Sequence, residues 1–203
     1  MNKIELLTSV INKSLSYSEY LQLTEDLLSQ EKTTGPNQGA DYVHYTNLNF
    51  HRMKRLDKTV EINAELKSLI AQIQTPQTWL VISEAWCGDA AQNVPLLQKL
   101  ADLSSKIELK IILRDENLEV MDMYLTNGGR SIPKLIALEN ETLNELYTWG
   151  PRPASIQNVM NELKAANVTE ISEIVEKIQI AYNHDKSQSF QNEFVTLLTE
   201  NLN

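Results

Sequence analysis

Residues 79–90 read Trp79-Leu80-Val81-Ile82-Ser83-Glu84-Ala85-Trp86-Cys87-Gly88-Asp89-Ala90, an apolar run that ends in Trp-Cys-Gly. Its first part has the unbroken apolarity of a strand, and beyond it Val94, Leu96, Leu97, Leu100 and Leu103 recur at helical spacing from Asp89 to Ser104. Cys87 therefore falls where a strand hands over to a helix. Unpaired backbone N–H groups and the positive end of the helix dipole meet there, and both favour thiolate over thiol. Cys87 is also the only cysteine in the chain, and the position three residues on, where a Cys-x-x-Cys pair needs its second sulfur, is Ala90. This is the setting of a dithiol catalyst with one sulfur missing.

Working outward, strand-like and helical patterns alternate. Thr78 to Ala85 reads as a strand, Ile107 to Leu113 as another, and Leu118 to Leu125 as a helix capped by Asp115-Glu116-Asn117 and closed by Asn127-Gly128-Gly129. Lys134 to Leu138 and Leu143 to Trp149 read as a hairpin across Glu139-Asn140-Glu141-Thr142, followed by a helix from Pro153 to Ala165. Such a layout predicts an α/β fold whose first two strands run parallel. Both ends lack strand signals. Helices are expected from Ile4 to Leu15, after Ser18, over Tyr42 to Leu56, over Val60 to Ile73, over Ile171 to Tyr182 and over Phe190 to Leu198. The expected organisation is an N-terminal helical extension (1–57), a central domain (58–165) and a C-terminal helical extension (166–203).

Composition narrows the function. With 203 residues, 42% hydrophobic and 22% charged, the chain reads as an ordinary globular protein. A net charge of −9 and a pI near 4.9 argue against nucleic acid or an anionic membrane as partner. The start, Met1-Asn2-Lys3-Ile4-Glu5, does not read as a signal peptide, and no apolar run approaches the roughly 20 residues of a membrane span. One cysteine precludes an intrachain disulfide, so the expectation is a cytoplasmic protein with a reduced thiol.

Three features of the central region together resemble the thioredoxin family: Ala85-Trp86-Cys87-Gly88, Pro95 eight residues after the cysteine, and Gly129-Arg130-Ser131-Ile132-Pro133-Lys134-Leu135. The resemblance implies a thioredoxin-like central sheet flanked by helices, with the additional N- and C-terminal helices left outside it. It also implies that Pro133 follows a cis peptide bond and faces the cysteine, where the alternative is an ordinary trans proline at a strand start. The chain departs from the family at Ala90, which lacks the resolving sulfur, and at Val81, where many thioredoxins carry a buried acid.

The resemblance makes Cys87 the catalytic candidate, with Trp86, Gly88, Asp89, Ile132 and Pro133 as the substrate-binding surface. Cys87 alternatively serves as an inert, buried small hydrophobe. Asp89, two residues from the sulfur, opposes thiolate formation while the helix end favours it, and the expected balance is a thiol modestly more acidic than free cysteine. Trp79 and Trp149 are assigned to packing, and Glu84 to the face away from the site. His44 and His51 have no accompanying ligands for a metal. The basic run His51-Arg52-Met53-Lys54-Arg55 reads as a solvated face, and Arg152 in Pro151-Arg152-Pro153 either aims at a ligand or simply starts a helix.

Three functions follow. One is monothiol disulfide exchange through Cys87 with a protein or small disulfide, requiring no bound cofactor but an external thiol such as glutathione to resolve the mixed disulfide. The second is a redox-inactive module binding an extended peptide or partner protein. The third is an oxidant sensor working through a sulfenic acid or glutathione adduct.

Overall fold

The computed structural model describes residues 2–202. Strand β1 (Gln77–Ser83) is buried along its whole length, as its unbroken apolarity requires of a strand covered on both faces. It lies at the centre of a four-stranded sheet with β2 (Ile107–Leu113), β3 (Lys134–Glu139) and β4 (Glu145–Trp149), in the order β2-β1-β3-β4. β1 pairs parallel with β2 (Val81 opposite Ile111) and antiparallel with β3 (Val81 opposite Leu135), and β3 and β4 form the antiparallel hairpin. This is the expected α/β class, with the first two strands parallel.

The helices before the sheet are α1 (Lys3–Ile11), α2 (Tyr17–Leu28), α3 (Ala40–Thr59) and α4 (Ala64–Ile70). Inside and after it come α5 (Gly88–Ala101), α6 (Leu118–Met121), α7 (Ala154–Ala165), α8 (Ile171–Asp185) and α9 (Gln188–Asn201). Among the described residues, no helix is long and apolar enough to cross a membrane.

Several boundaries differ from the sequence reading, each for a local reason. Ser16, not Ser18, caps α2, because Ser16 and Glu19 form a reciprocal capping box. Leu15 is not helical; it exchanges two backbone hydrogen bonds with Ile111 and so covers the open edge of β2. The helix expected over Val60 to Ile73 shrinks to α4. Val60 is extended and closes α3, and Asn63 starts a new helix by accepting from the Leu66 N–H at 2.8 Å. α6 is a single turn preceded by a 3-10 turn at Arg114–Glu116, with Asn117 bonded back to the Leu113 carbonyl rather than capping forward.

Both ends of the chain share the core of the sheet. Leu7, Tyr20 and Met53 from the first helices, and Phe190, Phe194 and Leu198 from the last, belong to the same buried cluster as Trp79, Leu80 and Leu97. Trp149 packs edge-on against Phe190 and lies beside Phe194, so Trp79 and Trp149 are both packing residues. A smaller cluster of Ile156, Leu163, Ile178 and Tyr182 joins α7 to α8 and swings α8 over the start of α5.

Candidate functional site

Cys87 caps α5. Its backbone is extended (φ −80°, ψ 117°), and its Sγ accepts from the Ala90 N–H at 3.5 Å. On its other side the thiol donates to the carbonyl oxygen of Ile132 at 3.3 Å. The bond from Ile132 to Pro133 is cis, as the family resemblance implied. Pro133 itself is buried, and its carbonyl packs against Gly150 so closely that a Cβ there would lie 2.2 Å from the oxygen. With φ at +115°, that position requires glycine twice over.

Burial is the main force on the thiol. It pushes the Cys87 pKa up to about 12, and the charge of Asp89 adds to it; the N–H groups of Ala90 and Asp89 and the Arg152 cation pull the other way without reversing it. The modest acidification expected from sequence is therefore overturned. A helix end contributes at most about 2 kcal/mol, whereas full desolvation shifts a group by up to about 3–5 units, and Cys87 is only 8% exposed.

Asp89 is tied down from two sides. Arg152 Nη2 donates to its Oδ2 at 2.5 Å and the Tyr182 hydroxyl donates to its Oδ1 at 2.7 Å. Asn93 on α5 in turn donates to the Tyr182 hydroxyl at 3.0 Å, and Gln92 donates to Gln179 at 2.7 Å. Burial still holds the Asp89 carboxyl above its ordinary range, against the pull of Arg152 and Tyr182. Of the two readings of Arg152, the helix start is the one seen, with Pro153 as the N-cap of α7, and the guanidinium turns inward to bind Asp89 in the cysteine turn.

The residue before the site is clamped by side chains. The Ala85 N–H donates to Thr34 Oγ1 at 2.9 Å, and its carbonyl accepts from Asn49 Nδ2 at 3.0 Å. Asn49 Oδ1 also accepts from Arg52 Nη1 at 2.8 Å, which holds that guanidinium beside the site. The basic run is thus split by helix geometry: Met53 is in the core, Lys54 lies over the Phe50 ring at 4.2 Å, and Arg52 points to the cleft. Glu84 accepts from the Asp115 N–H at 2.9 Å, and burial raises its pKa.

A cleft of about 780 Å³ opens over the cysteine. Trp86, Cys87, Gly88, Asp89 and Ile132 all line it, so five of the six candidates meet there, and Pro133 does not. Trp86 forms part of its wall, with the Arg114 guanidinium 4.8 Å from its ring centre and Tyr42 edge-on at 5.2 Å. Further walls come from α3 (Tyr42, Tyr45, Arg52) and α8 (Ile174, Val175, Ile178). Sequence reading missed these walls because both helices read as extensions. Among the described residues, no group of three or more His, Cys, Asp or Glu is placed to hold a metal.

No curated protein matches the chain. Among solved structures, a protein of unknown function from Pseudomonas aeruginosa, PA1234, aligns at 19% identity with a TM-score of 0.48, over 88% of this chain and 99% of that one. An HIV epitope-scaffold aligns at 18% identity and TM-score 0.48, over 93% and 96% of the two chains. A domain of the alkylhydroperoxide reductase AhpF from Enterococcus faecalis aligns at 22% identity and TM-score 0.38, over 53% and 54%. A family model described as thioredoxin matches residues 35–166, a span that includes α3, the whole sheet, the cysteine turn and the Ile132-Pro133 segment. The chain belongs to the thioredoxin family.

Proposed function

We propose that this chain is a thioredoxin-fold binding protein whose cleft takes a compact ligand, with Cys87 touching that ligand as a neutral thiol. The observation that carries this reading is the buried Sγ–H donating to the Ile132 carbonyl, in a chain with no second cysteine. A buried thiol engaged as a donor is a poor nucleophile. The cleft volume of about 780 Å³ suits a small molecule. Its walls from α3 and α8 favour such an occupant over the extended peptide or partner protein that the family resemblance suggests.

A second reading is monothiol exchange, favoured by one observation: the sulfur lines the cleft and accepts from the Ala90 N–H. In that reaction the Cys87 thiolate attacks a disulfide, forms a mixed disulfide and releases one thiolate. An external thiol such as glutathione then attacks the mixed disulfide and leaves as the new disulfide, returning Cys87. A role in cell redox homeostasis would follow, and in either reading a lone thiol fits the reducing cytoplasm. The readings separate on incubation with excess glutathione disulfide at neutral pH. The binding reading expects an unchanged protein mass and no catalysed insulin reduction; rapid, stoichiometric glutathionylation of folded protein transfers the case to exchange.

A further inference from the structure

We propose that the ligand of the cleft is a small organic acid, a carboxylate or phosphate carried on an apolar body, whose anionic group is received by Arg52 and Arg152. This inference rests on the reading of the cleft as a binding site and adds the chemistry of its occupant.

The charge around the cleft runs against that of the protein. The chain carries a net −9, yet Arg52, Arg114, Arg130 and Arg152 all face this one space. Two of them are occupied elsewhere: Arg114 pairs with Asp115, and Arg130 makes a two-pronged contact with Asp122. The other two have capacity left. Among the described residues, Arg52 has no carboxylate partner; its one hydrogen bond is to neutral Asn49, which is itself anchored on the Ala85 carbonyl. Burial, together with the neighbouring Arg55 charge, holds the Arg52 pKa below its ordinary value, as expected of a cation without a counter-ion. Arg152 spends Nη2 on Asp89, while its Nε and Nη1 are buried without a partner.

Unsatisfied donors on a charged, buried group are costly, and guanidinium forks match carboxylate and phosphate in geometry. The acids that face the cleft do not serve the purpose. Asp89 is already held by Arg152 and Tyr182, and Asp41 and Glu170 are exposed residues with no bond to either arginine. The same cleft is lined by Met160, Ile174, Val175 and Ile178 from α7 and α8, apolar surface for the body of the ligand. A purely inorganic ion would leave that surface bare, and a neutral apolar molecule would leave the donors unpaired.

The test is calorimetric titration of the full chain with hexanoate, hexyl phosphate and hexanol. At least one of the two acids is expected to bind at one site per chain, about tenfold or more tightly than hexanol, since a charge-assisted hydrogen bond contributes about 1.5–3 kcal/mol. Whichever acid binds tighter identifies the headgroup. Arg52→Gln is expected to weaken the acid by about tenfold while leaving hexanol unchanged. Lys54→Gln, which removes the same charge from the other side of α3, is expected to change neither. Arg52→Gln is scored only beside a native circular dichroism spectrum; Arg52→Lys, which keeps charge without the fork, supplies the second variant and is expected to fall between. Hexanol binding as tightly as the acids, or acid affinity unmoved by Arg52→Gln, overturns the anion proposal and leaves the binding site standing. No binding of all three probes at millimolar concentration overturns both.

Discussion

The sharpest consequence of the site geometry is that Cys87 should be a slow thiol, and its slowness can be worked out. Cys87 is pushed up from an ordinary value of 9.0 to about 12. That rise leaves about 1,000-fold less thiolate at neutral pH. Part of that is returned, because a more basic thiolate is the better nucleophile: a Brønsted coefficient of about 0.4–0.5 gives back about 15- to 30-fold. The net expectation is exchange about 30- to 65-fold slower than an unshifted cysteine, before any further loss from the 8% exposure of the residue. Reaction with an aromatic disulfide reagent that releases a coloured thiolate measures this across pH. The rate of the folded protein should still be climbing well above pH 9, whereas denatured protein should level off near the free-cysteine value. A folded-state plateau below pH 9, or a neutral-pH rate within a few-fold of free cysteine, would refute the argument that burial outweighs the helix end.

Other consequences are local. Asp89→Asn removes the anion that raises the thiol pKa and frees the Arg152 cation beside it, so the reactivity profile should move to lower pH; an unmoved profile would mean that Arg152 already cancels the Asp89 charge. Ala90→Cys places a sulfur on the residue whose N–H meets Cys87 Sγ at 3.5 Å, so mild oxidation should consume both thiols within one monomer, by thiol titration and mass. Gly150→Ala should destabilise the fold by at least about 2 kcal/mol in urea titration, through positive-φ strain and the clash with the Pro133 carbonyl; a near-wild-type midpoint would contradict that contact.

The strand-helix junction at Cys87, the hairpin after Pro133 and the parallel pairing of the first two strands were legible in sequence because each rests on local signals. Apolar run length, helical periodicity, turn chemistry and a small set of family motifs all lie within short windows. Boundaries failed where a cap or a distant pairing decided them, as at Ser16, Asn63 and the Leu15–Ile111 bridge.

The sequence by itself determined that the chain has one thiol at the start of a helix, no resolving sulfur, and a thioredoxin-like sheet around it. It did not determine the state of that thiol, since the helix-end effect is local but desolvation depends on everything packed above the sulfur. Only the tertiary structure brought Arg152 and Tyr182 to Asp89, from 63 and 93 residues away. Likewise it turned Arg52 out of a basic run that reads as solvated and into a cleft closed by α3 and α8. Charges and buried surfaces act through space, and the partners that set them here lie too far apart in the chain for any local pattern to record.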